Sequence, residues 1–330
     1  MAKISAEELK ELFKDKLEKY GTAPDLAERC AQNLLENTLD GIVTHGVNRF
    51  PRIIEYLQKG YIQPDRMPTL AESSGAYEIY DGNLGMGNTN AMFCMDRAIA
   101  LAESNGIGCV AVGNTNHWMR AGAYSIQAAK AGCVGICWTN TWPNMPAWGG
   151  KNAVLGNNPI SYAVPYGDGY VVVDGAMAMF SYGAIEKAML AGEQLKVPGG
   201  FDSNGNITTD PAEIMKTQRV LPIGYWKGSG FSILMDMIVS ILAHGNSVPA
   251  IGKNCETEYG LSQVFFAVKV TNRSLTDGIV REIIDAVKSS ETDDGREIYY
   301  PSEREHARRE KGLSTGIEVN EEVLERIRGL

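Results

Sequence analysis

The 330-residue chain lacks the glycine patterns that usually wrap a nucleotide phosphate. No Gly-x-Gly-x-x-Gly stands between a strand and a helix. Asp81-Gly82-Asn83-Leu84-Gly85-Met86-Gly87 has the wrong spacing, and there is no Gly-x-x-x-x-Gly-Lys-Ser/Thr stretch. Both motifs need glycines at fixed offsets so that backbone N–H groups can reach phosphate, so a Rossmann domain and a P-loop are disfavoured. Cysteine is sparse. Cys30, Cys94, Cys109, Cys133, Cys137 and Cys255 form no Cys-x-x-Cys pair, and buried free thiols are expected. No His-Glu-x-x-His or tight His/Cys/Asp set is present, so no metal is expected. Positive charge is short too, with 31 Lys and Arg against 40 Asp and Glu, a net −9. That argues against a nucleic-acid partner, which requires a basic face. It leaves room for a small anion, because one local arginine outweighs distant charge. Long apolar runs are also missing. The longest, Phe231 to Ala243, is broken by Ser232, Asp236 and Ser240, and Met1-Ala-Lys-Ile-Ser-Ala-Glu-Glu has no signal-like apolar region. A cytoplasmic protein with no membrane partner is expected.

What is present reads as mixed α and β without regular βαβ alternation. Ser5-Ala6-Glu7-Glu8 is a capping box before Leu9, Leu12, Phe13 and Leu17, predicting a helix to about Tyr20. Helices are predicted at 25–39 and 52–58, the second of these ended by Gly60. Strands follow at 76–80, 107–112, 134–139, 160–164, 170–174 and 261–270. Further helices are predicted at 90–104, 124–131, 180–195, 228–244, 277–290 and 320–327. The stretches 142–158 and 198–211 are rich in Pro, Gly and Asn and read as loops. Helices at both chain ends are expected to pack together and enclose the sheet-bearing middle.

The densest chemistry lies in Thr44-His45-Gly46-Val47-Asn48-Arg49. An imidazole can donate a proton near neutral pH, and a guanidinium can grip a carboxylate with two parallel bonds. The pair suits reduction of a keto acid, and with four histidines in the chain few residues compete for the donor role. The plainer alternative is a helix cap at His45 and a surface ion pair at Arg49. Asp174, ending an apolar stretch, is a candidate to orient the imidazole or else a turn residue. Asn116 and His117 lie in Asn114-Thr115-Asn116-His117-Trp118-Met119-Arg120, where a loop can aim polar groups at substrate hydroxyls. Trp226-Lys227-Gly228-Ser229-Gly230 opens an apolar helix, whose free N–H groups could meet phosphate. His244 suits a helix C-terminus, and His306 falls in the charged run 303–309, which reads as a solvated face.

Five motifs carry a family resemblance: Thr44-His-Gly-Val-Asn-Arg-Phe-Pro-Arg52, Asn116-His-Trp-Met-Arg120, Gly135-Ile-Cys-Trp-Thr-Asn140, Met179-Phe-Ser-Tyr-Gly183 and Leu221-Pro-Ile-Gly-Tyr-Trp-Lys-Gly-Ser-Gly230. Together they resemble the non-Rossmann malate/L-lactate dehydrogenase family, from about residue 5 to 330. The resemblance implies an α/β protein with a largely antiparallel NAD-binding sheet. Its parts would be a helical domain from 1–72 and 276–330, a sheet domain from 73–140 and 225–275, and an inserted region, 141–224. It implies a homodimer that uses NADH, with NADPH as the alternative, on a small keto sugar acid, hydride going to the C2 carbonyl. In that scheme His45 is the proton donor and Arg49 a substrate contact. The cofactor contacts would be Tyr170, Val171, Val172, Val173, Asp174, Gly175, Ala176, Trp226, Lys227, Ser302, Glu303 and Arg304. Two positions depart from the family's habit. Thr44 stands where serine usually precedes the histidine, keeping the hydroxyl toward substrate, and Pro301-Ser302 stands where Pro-Gly is usual. Malate, lactate, sulfolactate, ureidoglycolate or a cyclic imino acid are alternative substrates. A non-catalytic sugar binder, stacking sugar on Trp138, Trp142 or Trp148, is the alternative of another class.

Overall fold

The structure, a computed structural model, describes residues 1–255 and 257–330. Its amino-terminal half-layer is helical because apolar residues recur on one face. α1 (Ala6–Lys19) buries Leu9, Phe13 and Leu17, and the Ser5 hydroxyl accepts the Glu8 N–H as the capping box requires. α2 (Pro24–Leu39) buries Leu26, Cys30, Leu34 and Leu35, and α3 (Phe50–Gln58) buries Phe50, Ile53 and Ile54. The other chain end joins them. β1 (Ala2–Ile4) pairs antiparallel with β13 (Ile317–Val319), and α12 (Glu321–Gly329) adds Leu324 and Ile327 to the same core.

The centre is a seven-stranded sheet. Its order is β2 (Thr69–Ser74), β3 (Tyr77–Asp81), β4 (Ile107–Thr115), β12 (Leu261–Lys269), β5 (Cys133–Thr139), β8 (Ile160–Tyr166), β9 (Gly169–Gly175). Only β3 and β4 run parallel, linked by α4 (Gly87–Asn105); the remaining neighbours are antiparallel, as the resemblance implied. Side chains alternate across the pleat. Val110, Val112 and Phe265 meet α4 and α5 (Gly122–Lys130) on one face. Ala111, Trp138 and Val264 meet α8 (Trp226–Leu242) on the other.

Several boundaries move from expectation. α4 begins three residues early, at Gly87, because Asn88, Thr89 and Asn90 find buried partners instead of solvent. α6 (Tyr182–Ala191) is shorter than predicted, bounded by the Ser181 cap and left-handed Gly192. The loop at 142–158 contains the short pair β6 (Met145–Pro146) and β7 (Ala153–Leu155). The loop at 198–211 contains β10 (Gly200–Phe201) and β11 (Ile207–Thr208), and is followed by α7 (Pro211–Thr217). α9 (Val248–Asn254) was not expected. α10 (Arg273–Lys288) lies by the β8–β9 turn, where Asp277 accepts the Gly167 N–H and Arg273 donates to the Gly167 carbonyl. The run 303–309, read as a solvated face, is part of α11 (Glu303–Thr315). Among the described residues, no helix is long and apolar enough to cross a membrane. The six cysteines are unpaired, with Cys30, Cys94, Cys133 and Cys137 buried.

Candidate active site

The motif at 44–49 is held by the last turn of α2. Thr38 Oγ1 donates to the Leu34 carbonyl (2.7 Å) and accepts the Val47 N–H (3.0 Å). Asn37 Nδ2 donates to the His45 carbonyl (3.1 Å). A Cβ at Gly46 would stand 2.3 Å from Thr38 Oγ1, so only glycine lets the chain lie this close to the helix. The result is two successive 3₁₀ turns, Val43–His45 and Val47–Arg49, that present His45 and Arg49 to one cleft of about 1240 Å³.

His117 faces His45 across that cleft. Their rings are parallel within 11°, with centroids 5.7 Å apart. His117 Nδ1 accepts the Met119 N–H (3.0 Å), which fixes neutral His117 as the Nε2–H tautomer. Thr44 Oγ1 lies 3.2 Å from His45 Nδ1. Burial, and then the Arg49 charge, press the His45 pKa down to about 4, with Asp174 pulling the other way. Burial likewise holds His117 well below the ordinary histidine value. Arg49 Nη2 stands 3.4 Å from Glu258 Oε2, both half-buried. Burial lowers the Arg49 pKa and Glu258 opposes that shift.

The cleft gathers Thr44, His45, Arg49, His117, Asp174, Gly175 and Ala176. Asn116 is not among its lining residues. Its amide is buried and directed at the carbonyls of Tyr61 (3.1 Å), Leu84 (2.8 Å) and Gly85 (3.0 Å), where it ties the β4 end to the start of α4. Asp174 is not hydrogen-bonded to His45. Its Oδ2 accepts from Arg120 Nε (2.6 Å) and the Gly122 N–H (3.1 Å), so its effect on the imidazole is one of charge. On β9, Tyr170 rests beside His306, with ring centroids 5.0 Å apart, and the Val172 N–H donates to Ser302 Oγ (3.3 Å). Val171 and Val173 lie on the same strand, paired with Val164 and Tyr162 of β8. Ser302 has φ +72°, the left-handed region where glycine is at ease. Glu303 pairs with Lys288, and Arg304 stacks over Tyr299 at 4.0 Å. Trp226 and Lys227 open α8 outside the cleft, the indole 64% exposed. Trp138 donates to the Met235 carbonyl and stacks on Phe266, a core role that removes it from any sugar platform.

Arg120 and Glu258 are among the charged cleft residues to which sequence reasoning gave no role. Arg120 ends a motif it had singled out, so three-residue spacing from His117 was a usable signal. Glu258 lies in a stretch with no periodicity, and Tyr56 Oη with Thr257 Oγ1 (2.6 Å) brings it to Arg49.

The model of the malate/L-lactate dehydrogenase family matches residues 4–328. A 2,3-diketo-L-gulonate reductase of Citrobacter koseri is 43% identical over 99% of this chain and 100% of its own length, as is one of Salmonella newport. Among solved structures, malate dehydrogenase of Entamoeba histolytica superposes with a TM-score of 0.94 at 26% identity, covering 99% of this chain and 96% of that one. Sulfolactate dehydrogenase of Methanocaldococcus jannaschii gives 0.88 at 30% identity, with the same coverages. The chain belongs to the malate/L-lactate dehydrogenase family and is an oxidoreductase.

Proposed function

We propose that this protein reduces 2,3-diketo-L-gulonate to 3-keto-L-gulonate with NADH in preference to NADPH. His45 is the proton donor and Arg49 the carboxylate anchor. The observation that carries the reading is one cleft holding His45, His117 and Arg49 in a chain 43% identical to reductases of that name.

The cleft fits a nicotinamide dinucleotide on its β9 side. A Cβ at Gly175 would meet no atom within 4 Å, so there is room beside the strand, and Ser302 brings the start of α11 to the same strand. Tyr170 to Ala176 and Ser302 to Arg304 would hold it there; Trp226 and Lys227 stand apart from this wall. Bound there, the dinucleotide supplies hydride to the carbonyl carbon.

The remaining tasks fall to side chains. Arg49, with Arg52 also lining the cleft, places positive charge where an acid group docks. Docking neutralises the Arg49 charge that depresses His45, so the imidazole gains basicity when an anionic substrate binds. Protonated from solvent as the substrate docks, the His45 imidazolium gives its Nε2 proton to the developing alkoxide and returns to the neutral imidazole, a step worth roughly 10²–10⁴-fold. Thr44, beside Nδ1, orients the ring, and Asp174 stabilises the imidazolium by charge alone. Neutral His117 offers its Nε2–H to a substrate hydroxyl.

A homodimer is part of the same reading. Phe231, Leu234, Met237, Ile238 and Ile241 on the outer side of α8 are 40–69% exposed, an apolar face that a second copy of the chain would cover. The unpaired cysteines suit a reducing cytoplasm. One preparation tests all of this. Sedimentation should give a dimer, and NADH absorbance should fall with 2,3-diketo-L-gulonate faster than with oxaloacetate, pyruvate or sulfopyruvate. His45→Ala should lose more than ~10²-fold in turnover while still binding NADH. A monomer, a preference for another oxo acid, or near-normal turnover of that variant would each remove the corresponding claim.

A further inference from the structure

α11 is a 13-residue helix that buries none of its residues, and its Leu313 is 60% exposed. Apolar packing therefore contributes little to its position. Charge holds it instead. Glu305 Oε2 lies 2.7 Å from Arg120 Nη2, Arg309 Nε is 2.7 Å from Asp40 Oδ1, and Glu303 is 2.6 Å from Lys288.

Arg120 differs from the other cations in this set. It is 3% exposed, and each of its three nitrogens is used on a different segment: Nε on Asp174 of β9 (2.6 Å), Nη1 on Asp40 after α2 (2.6 Å), Nη2 on Glu305 of α11. The planar fork of a guanidinium suits this three-way junction; an ammonium has no such fixed geometry. Gly122 completes it. A Cβ there would fall 2.1 Å from Asp174 Oδ2 and 2.8 Å from Arg120 Nε.

We propose that Arg120 is the positioning residue of the cleft's cofactor side, its guanidinium seating α11 against β9 so that the start of the helix and the strand form one wall. The functional half of this statement rests on the reading of β9 and residues 302–304 as cofactor contacts. The seating itself rests on the junction alone. Without the Glu305 carboxylate the guanidinium keeps Asp174 and Asp40, but α11 loses its bond to the junction and has nothing apolar to hold it.

The test compares Glu305→Gln, which removes the charge of the α11 arm alone, with Arg120→Met and Arg120→Lys. Amide hydrogen exchange is read in α11 against α1 and α12, with NADH affinity by fluorescence titration and kcat at saturating NADH. Glu305→Gln should speed exchange in α11 by about tenfold or more with α1 unchanged, and weaken NADH about tenfold while kcat stays within about twofold. Arg120→Lys should recover part of what Arg120→Met loses. Unchanged α11 protection in Glu305→Gln, or equal loss of protection everywhere in all three variants, overturns the proposal. Lost α11 protection with unaltered NADH affinity upholds the seating and removes the cofactor role of 302–304.

Discussion

α1 and α11 are similar in length, and both lie against α2, yet they are held by opposite means. α1 places Leu9, Phe13 and Leu17 in a core shared with α3 and α12, and its ion pairs to Glu28 are partly solvent-exposed extras. α11 buries nothing and is held by ionic bonds at the edge of the cleft. Burial of apolar area is non-directional and not subject to charge screening, whereas ion pairs fix geometry closely and are weakened by screening salt. α1 thus sits in an apolar core away from the cleft, whereas α11 is tied through Glu305 to Arg120, a residue that lines it.

The largest break in this comparison should come from the apolar side. Phe13 is fully buried and stacks on Phe50, with centroids 4.6 Å apart. Phe13→Ala should destabilise the protein by about 3–5 kcal/mol in urea unfolding, equally at low and high salt. A loss below about 1 kcal/mol would mean that the helical half does not depend on this core.

That contrast also explains what the sequence shows and hides. α1 was readable because a capping box and an apolar stripe say the same thing. α11 was hidden because Glu-Arg-Glu-His-Ala-Arg-Arg-Glu has no stripe, and its partners Asp40 and Arg120 lie far away in the chain. The β1–β13 pair joins three-residue strands from opposite chain ends, a non-local event with no local pattern. Of the site, His45, Arg49 and His117 were legible because few side chains do their chemistry. Asn116 misled because a loop amide looks the same whether it faces a substrate or three backbone carbonyls. Glu258 owes its role to tertiary neighbours alone, whereas Arg120 stands three residues after His117 in a motif the sequence already marks.

The cleft side should respond next, to acid. His45 is shifted down to about 4 in the folded protein, against about 6.5 for a free histidine. Between those values the unfolded chain holds the proton and the folded one does not, so stability falls as pH drops from about 6.5 to about 4. The ceiling for this residue is about 3 kcal/mol, reduced by solvent at the cleft mouth, and His117 acts in the same direction. Urea midpoints at pH 7 and pH 5 should separate in the native protein and draw closer in His45→Gln. An identical pH slope in both would show that the imidazole is not held neutral. A dicarboxylate such as tartronate should raise the His45 pKa in NMR titration, because it offsets the Arg49 charge.

The smallest effect should sharpen the account of how α11 begins. Ser302 carries two opposed contributions: its left-handed φ of +72° costs about 1 kcal/mol, and its Oγ accepts the Val172 N–H from the edge strand β9. Ser302→Ala keeps the strained backbone and deletes the acceptor, so it should lose about 1 kcal/mol. Ser302→Gly deletes the same acceptor but relieves the strain, so it should be near neutral and about 1 kcal/mol more stable than the alanine variant. Equal stability of the two variants would mean that residue 302 is not held left-handed. Since the bond joins the start of α11 to β9, Ser302→Ala should also speed exchange at Val172 and in the first turn of α11, while α1 stays as protected as before.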